Sequence, residues 1–250
     1  MKSVRIRNVI IGEGFPKICI PLTGRSRDEI LKSAEFASGT GADLYELRGD
    51  YLLEGCDGKE VIGALEDVRR VIGNIPLIFT LRSKEEGGAA ILPKDNYLNM
   101  NFKVAESRLA DIIDVEFEKG EAIMERLTSA AHENGSHILV SKHFSNGMPG
   151  KDELLSTFIG MRSYPSDIIK IAAMVENEKE LLNLLDVSLT LKNEYADRPF
   201  TIIGMGKMGM FSRISGGIFG SCLTFAKGME ASAPGQIDAL EVRRIIEIFK

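Results

Sequence analysis

Short apolar, β-branched runs return along this chain at intervals of roughly thirty residues, and longer amphipathic stretches fill the gaps between them. The runs are Lys17–Leu22, Leu44–Arg48, Leu77–Arg82, Ile112–Phe117, His137–His143, Asp167–Met174, Phe200–Met205 and Ser221–Lys227. Between them, Arg27–Ser38, Glu60–Ile72, Gly120–Asn134 and Asn177–Glu194 carry helical periodicity. A strand that is followed by a helix and then by another strand must run parallel to its predecessor. Eight such units in 250 residues are the arithmetic of a (β/α)8 barrel, expected here as one domain over residues 1–250. The segment Val4–Ile11 reads as a short hairpin ahead of the first unit, placed to close the barrel's bottom. A doubly wound open sheet would show the same alternation. The barrel is preferred because no phosphate-binding turn appears early in the chain.

Charge and cysteine usage limit the function classes. A net charge of -5, with the basic residues scattered, argues against a nucleic-acid partner. Cys19, Cys56 and Cys222 lie far apart with no CxxC spacing, as expected for reduced thiols in the cytoplasm. The first residues show no apolar leader and no segment approaches a membrane span, so no membrane partner is expected.

One cation interrupts the sixth run, Asp167-Ile168-Ile169-Lys170-Ile171-Ala172-Ala173-Met174. Barrel strands are covered on both faces, so alternation offers Lys170 no solvated side. Desolvation disfavours the ammonium form and should lower its pKa. A free amine is the nucleophile that attacks a ketone to form an imine. A lysine at a strand end can equally bury its stem and extend its head to water. On the strand alone the two roles stand level.

The neighbouring strands separate them. Active sites of such barrels gather at the C-terminal ends of the strands. Those ends supply Glu46 and Arg48, Arg82 followed by Glu86, Asp114 and Glu116, His143, and Arg213 beyond the seventh run. Ser232 and Gln236 follow the eighth. Charges converging on one rim suit an anionic, hydroxylated substrate. His143 ends the strand beside that of Lys170, which favours acid/base work over a structural role, and Glu86 is placed to orient its imidazole. His132 and His137 flank an Asn134-Gly135 turn and read as structural. Asp114 and Glu116 could offer oxygens to Mg²⁺, but ion pairing with Arg or Lys is the more ordinary use of such acids. Zinc is not expected, for want of histidines and a cysteine pair.

Gly204-Met205-Gly206-Lys207-Met208-Gly209 matches GxGxxG, with Glu230 near the usual acidic position. Only one strand–helix unit follows it, too few for a dinucleotide site, so these glycines are expected to turn the backbone over the barrel mouth. Backbone N–H groups near Gly216-Gly217 and Gln236 could still hold a phosphate, which keeps a Schiff-base aldolase acting on a phosphosugar as the alternative.

Taken in order, these segments resemble the type I 3-dehydroquinate dehydratase family. The resemblance runs through Glu46-Leu47-Arg48 with Asp50, Thr80-Leu81-Arg82 with Glu86-Gly87-Gly88, Asp114-Val115-Glu116, and Ser141 to Phe144. It continues through Asp167 to Met174, Met205 to Gly209 with Ser212-Arg213, and Ser232-Ala233-Pro234-Gly235-Gln236. It implies a homodimeric barrel enzyme of the shikimate pathway, a lyase serving aromatic amino acid biosynthesis. Such an enzyme dehydrates 3-dehydroquinate to 3-dehydroshikimate without metal or cofactor. It implies that Lys170 forms the Schiff base, His143 is the general acid/base and Glu86 is its partner. Arg213 would clamp the carboxylate, with Glu46, Arg48, Arg82, Ser232 and Gln236 as substrate-binding residues. Gly228–Gln236 is a candidate lid. Leu47 departs from a common aromatic, and Pro21 from a serine that can touch substrate.

Overall fold

The computed structural model describes residues 2–53 and 58–249; Cys56, one of the expected thiols, lies outside the described residues. A hairpin of β1 (Val4–Ile6) and β2 (Val9–Ile11) turns at Arg7, whose φ is 52°. The strands that follow are β3 (Lys17–Leu22), β4 (Leu44–Arg48), β5 (Leu77–Thr80) and β6 (Ile112–Glu116). They continue as β7 (His137–Phe144), β8 (Ile168–Met174), β9 (Phe200–Met205) and β10 (Leu223–Phe225). The helices are α1 (Arg27–Ser38), α2 (Gly49–Leu52), α3 (Gly58–Ile72), α4 (Lys94–Ser107) and α5 (Glu121–Glu133). After them come α6 (Lys151–Arg162), α7 (Glu178–Thr190), α8 (Gly206–Ser215) and α9 (Ala239–Ile248).

Strands β3 to β10 pair in parallel in the order β10-β3-β4-β5-β6-β7-β8-β9. Between β9 and β10 the ring is drawn together by the Phe200–Ser221 bridge, in which the Cys222 N–H donates to the Phe200 carbonyl at 2.8 Å. This closure is the expected barrel and excludes the open doubly wound sheet.

Side-chain alternation divides the interior from the helix-facing layer. On β8, Ile169, Ile171 and Ala173 join the large cluster beneath the helices. Ile168 and Ala172 belong instead to the cluster inside the barrel, with Lys170 between them on the same face. That inner cluster stacks Leu44, Ile78, Ile112, Leu139 and Ile168 at the bottom and adds Ile6 and Ile11 from the hairpin, which therefore plugs this end as expected. Two residues further along the same strands the inward positions become Glu46, Thr80, Asp114, Ser141 and Lys170, all buried. The lower barrel is hydrocarbon and the upper barrel is polar.

Several element ends differ from the sequence expectation by one to a few residues, and three have a visible cause or form. β5 stops at Thr80 rather than Arg82, because the Arg82 N–H leaves the ladder for Asp50 Oδ1 at 3.3 Å. β10 is only Leu223–Phe225, because side chains replace the ladder on its β9 side: Ser221 Oγ accepts from the Ile202 N–H and Thr201 Oγ1 from the Leu223 N–H. The seventh helix stops at Thr190 and widens into a π turn over Leu191–Tyr195.

Candidate active site

A cavity of about 250 Å³ opens at the C-terminal ends of the strands. All nine residues expected from the sequence line it: Lys170, His143, Glu86, Glu46, Arg48, Arg82, Arg213, Ser232 and Gln236. Ala172, Met174, Ile203, Met205 and Phe225 add an apolar surface.

Lys170 is 5% exposed, but its surroundings are not only hydrocarbon. Its Nζ lies 3.7 Å from Glu46 Oε1 and 4.0 Å from Asp114 Oδ2, and 3.9 Å from the centroid of the Phe225 ring. The expectation from the strand rested on desolvation alone, whereas two carboxylates and an aromatic face oppose that cost here. Thr80 Oγ1 donates to Glu46 Oε1 at 2.9 Å and fixes that carboxylate. The lysine is therefore held in place and does not reach for solvent.

Arg82 organises the opposite side. Its guanidinium reaches Asp114 Oδ2 at 2.6 Å, Glu116 Oε1 at 3.1 Å, Glu86 Oε2 at 3.2 Å and Ser141 Oγ at 3.0 Å. Burial lowers its proton affinity, but Asp114, Glu116 and Glu86 more than offset this and keep the group charged. Asp114 and Glu116 thus pair with arginine, the ordinary use foreseen for them. Arg48 is equally committed, with two 2.8 Å bonds to Asp50 and the Tyr51 ring 5.0 Å beneath it.

Glu86 was expected to orient His143 and lies where it can. The chain leaves β5, makes a single 3₁₀ turn over Lys84–Glu86 and folds back through Gly87 at φ 83°. A Cβ at Gly88 would stand 1.9 Å from the Arg82 carbonyl oxygen, so only glycine allows the fold-back. Glu86 Oε2 then accepts the His143 backbone N–H at 3.0 Å and lies 3.1 Å from His143 Nδ1. Burial pushes the Glu86 carboxyl up to about 7 despite Arg82 and Lys142. Burial, then the charges of Arg82, Lys170, Arg48 and Lys142, hold His143 well below its ordinary value. At neutral pH the imidazole is neutral, and an ionised Glu86 at Nδ1 leaves the lone pair on Nε2.

Arg213 comes from α8 rather than from a loop. Its Nη1 and Nη2 donate only to backbone carbonyls, Phe225 at 3.0 Å and Pro234 at 3.2 Å, and its buried Nε has no hydrogen-bond partner. Among the described residues no carboxylate pairs with it. Burial alone pulls the guanidinium down to about 10. Ser232 and Gln236 buckle their loop: the Ser232 N–H donates to Gln236 Oε1 at 2.8 Å, and Gln236 Nε2 donates to Ser232 Oγ at 3.1 Å.

The GxGxxG glycines serve packing as well as the turn expected of them. A Cβ at Gly209 would lie 2.3 Å from the Gly204 carbonyl carbon, so this pair lets α8 sit directly on β9 and carry Arg213 inward. Gly206, at φ 80°, makes the turn itself. Leu47 packs into the helix-facing layer, and Pro21 is buried at the register position of Glu46; neither lines the cavity. Sequence reasoning missed Phe225 beneath Lys170, although the alternation of Leu223–Phe225 points both residues inward.

Comparison with known proteins gives a consistent result. A family model described as Type I 3-dehydroquinase matches residues 18–250. A 3-dehydroquinate dehydratase of Syntrophotalea carbinolica is 38% identical over 249 residues, covering 100% of this chain and 98% of that protein. The crystal structure of a type I 3-dehydroquinate dehydratase from Clostridium difficile, with covalent modified comenic acid, superposes with a TM-score of 0.94 at 37% identity, covering 99% and 97% of the two chains. A 3-dehydroquinate dehydratase from Geobacillus kaustophilus superposes at 0.95 with 32% identity, covering 99% and 96%.

Proposed function

Because the chain belongs to the type I 3-dehydroquinase family, we propose that it is a lyase that dehydrates 3-dehydroquinate to 3-dehydroshikimate through an imine on Lys170. The observation that carries the substrate is Arg213, a buried cation with no carboxylate among the described residues, facing the same cavity as the amine. A bound carboxylate supplies the missing counter-ion, and burial makes that pairing strong.

The chemistry follows from the positions. The Lys170 amine adds to the substrate ketone and water leaves, giving a protonated imine. That cation draws electrons from the adjacent carbon, and neutral His143 removes its proton to leave an enamine. The enamine expels the β-hydroxyl, which takes the proton back from His143 and departs as water. Hydrolysis of the product imine restores the free amine. Glu46 and Asp114 stand beside the nitrogen as positive charge develops on the imine. Glu86 accepts from Nδ1 and steadies the imidazolium while it holds the proton. Arg48, Arg82, Ser232 and Gln236 hold the hydroxylated ring, and Gly228–Gln236 acts as a lid.

Borohydride reduction in the presence of 3-dehydroquinate, followed by mass spectrometry, is expected to leave the adduct on the Lys170 peptide. Absence of that adduct would end the proposal, and trapping by a phosphosugar instead would revive the aldolase. The proposal extends to a cytoplasmic homodimer. Cys19 and Cys222 are buried free thiols, and no helix among the described residues is long and apolar enough to cross a membrane. Sedimentation giving a monomer mass would remove the dimer.

A further inference from the structure

Glu86 has two carboxylate oxygens with unequal surroundings, and the difference points to a residue outside the cavity. Oε2 takes the His143 backbone N–H, faces the ring Nδ1 and meets Arg82 at 3.2 Å. Oε1 is buried and has no hydrogen-bond partner. The group that approaches it is Lys142, whose Nζ lies 3.6 Å away. Lys142 precedes His143 on β7, so it points away from the cavity. It turns back over the edge of the strand, with Phe144 beneath it at 5.4 Å, and its ammonium also meets Glu118 Oε1 at 3.0 Å.

We propose that Lys142 is a positioning residue: its ammonium, shared between Glu86 and Glu118, keeps the Glu86 carboxylate charged and thereby keeps the lone pair of His143 on Nε2. This inference rests on the dehydratase reading and deepens it. The charged groups facing Glu86 are Arg82 from the end of β5, Asp114 and Glu116 from β6, and Lys142 and His143 from β7. Burial and the two β6 acids drive a proton onto Glu86, while Arg82 and Lys142 drive it off. Arg82 is the stronger of the two cations but divides its charge among three carboxylates and meets Glu86 at Oε2, whereas Lys142 is the cation that approaches the unbonded Oε1. Were Glu86 protonated, it would donate to Nδ1 instead of accepting from it. The ring proton would then move to Nε2, and the base that takes the substrate's α-proton would be lost.

Glu118 is the counterweight. Its side chain is 62% exposed, and it draws the same ammonium outward, away from Glu86. Removing Lys142 and removing Glu118 should therefore act in opposite directions. A purely structural role for either side chain has no reason to produce that opposition.

The experiment measures kcat/KM for 3-dehydroquinate across pH with the full chain, its Lys142→Met, Lys142→Arg and Glu118→Gln variants. Lys142→Met should move the acidic limb up by about one pH unit, a roughly tenfold loss below it that fades toward alkaline pH. Lys142→Arg should restore the limb, and Glu118→Gln should move it down by a smaller amount. A Lys142→Met profile that superposes on wild type, or that falls by one factor at every pH, overturns the inference. So does a Glu118→Gln shift in the same direction as Lys142→Met. If Lys142→Met fails to fold, Glu118→Gln at its exposed position decides the matter alone. Wild type without turnover would overturn the dehydratase reading itself, whereas an active wild type with unmoved limbs overturns only the role of Lys142.

Discussion

From β4 to β7 the cavity wall is crowded with charge that pairs within itself, whereas from β8 to β10 it is apolar apart from Lys170 and Arg213. On the first wall Arg48 is matched by Asp50, and Arg82 by Asp114, Glu116 and Glu86. On the second, Met174, Ile203, Met205 and Phe225 line the cavity together with the buried guanidinium of Arg213, which has no carboxylate partner among the described residues. The same residue type does two different jobs. A matched arginine fixes the geometry of acids and bases before any ligand arrives. An unmatched one stores an electrostatic demand that a ligand satisfies.

Lys170 stands where the walls meet, and its loss should produce the largest effect. Lys170→Met is expected to lower kcat by roughly 10⁴-fold or more, since no other group can form the imine. The borohydride adduct should vanish with it. An adduct that survives on another lysine would show that the junction of the walls is not the reacting centre.

The arginines test the contrast directly. Arg82→Met removes the cation shared by three buried carboxylates and should destabilise the fold by about 3–5 kcal/mol, measured by urea unfolding. Arg213→Met removes an unpaired buried charge, so stability should hold or rise. Its cost should appear as KM, raised by roughly 10²-fold, which corresponds to about 2–3 kcal/mol of charged hydrogen bonding to a carboxylate. Equal destabilisation by the two substitutions would erase the distinction between the walls.

This contrast also marks how far the sequence could be read. The barrel was legible because strand and helix periods alternate, and the position of Lys170 because Ile168, Lys170 and Ala172 fall on one face. The rim was legible because barrel strands end in the active site, which brought all nine site residues into one cavity. What could not be read was which arginine is left without an acid. Arg48 meets Asp50 two residues along its own chain, but Arg82 and Arg213 look alike in one dimension, and only the cross-strand registers and the fold-back at Gly88 bring acids to the one and not the other. The surroundings of Lys170 were hidden for the same reason, since Glu46, Asp114 and Phe225 arrive from three other strands.

The first wall should also carry the pH dependence. Burial raises the Glu86 carboxyl from 4.5 to about 7, and the ionised form is the one that orients His143. Turnover should therefore fall as pH drops through about 7, by up to tenfold per unit. Stability moves the other way. A carboxyl whose pKa is raised on folding binds more protons folded than unfolded between 4.5 and about 7, so this group's contribution grows as pH falls through that window. Melting curves taken beside the rates should show no loss attributable to Glu86 between those values. Activity and stability falling together would assign the limb to unfolding rather than to the base.

The smallest expected effect lies where the second wall meets solvent. Gln236 accepts the Ser232 N–H and donates to Ser232 Oγ, and the Pro234 carbonyl between them receives Arg213 Nη2. The loop is thus braced against the cation proposed to bind substrate. Gln236→Ala removes both buckling bonds but leaves Arg213 in place, at a cost of about 1 kcal/mol in ordering the loop. The expected outcome is a KM raised roughly fivefold, with kcat nearly unchanged and the acidic limb unmoved, because nothing on the first wall is touched. A shift of that limb in Gln236→Ala would mean that the loop controls the protonation of Glu86 and His143. The two walls would then have to be treated as one.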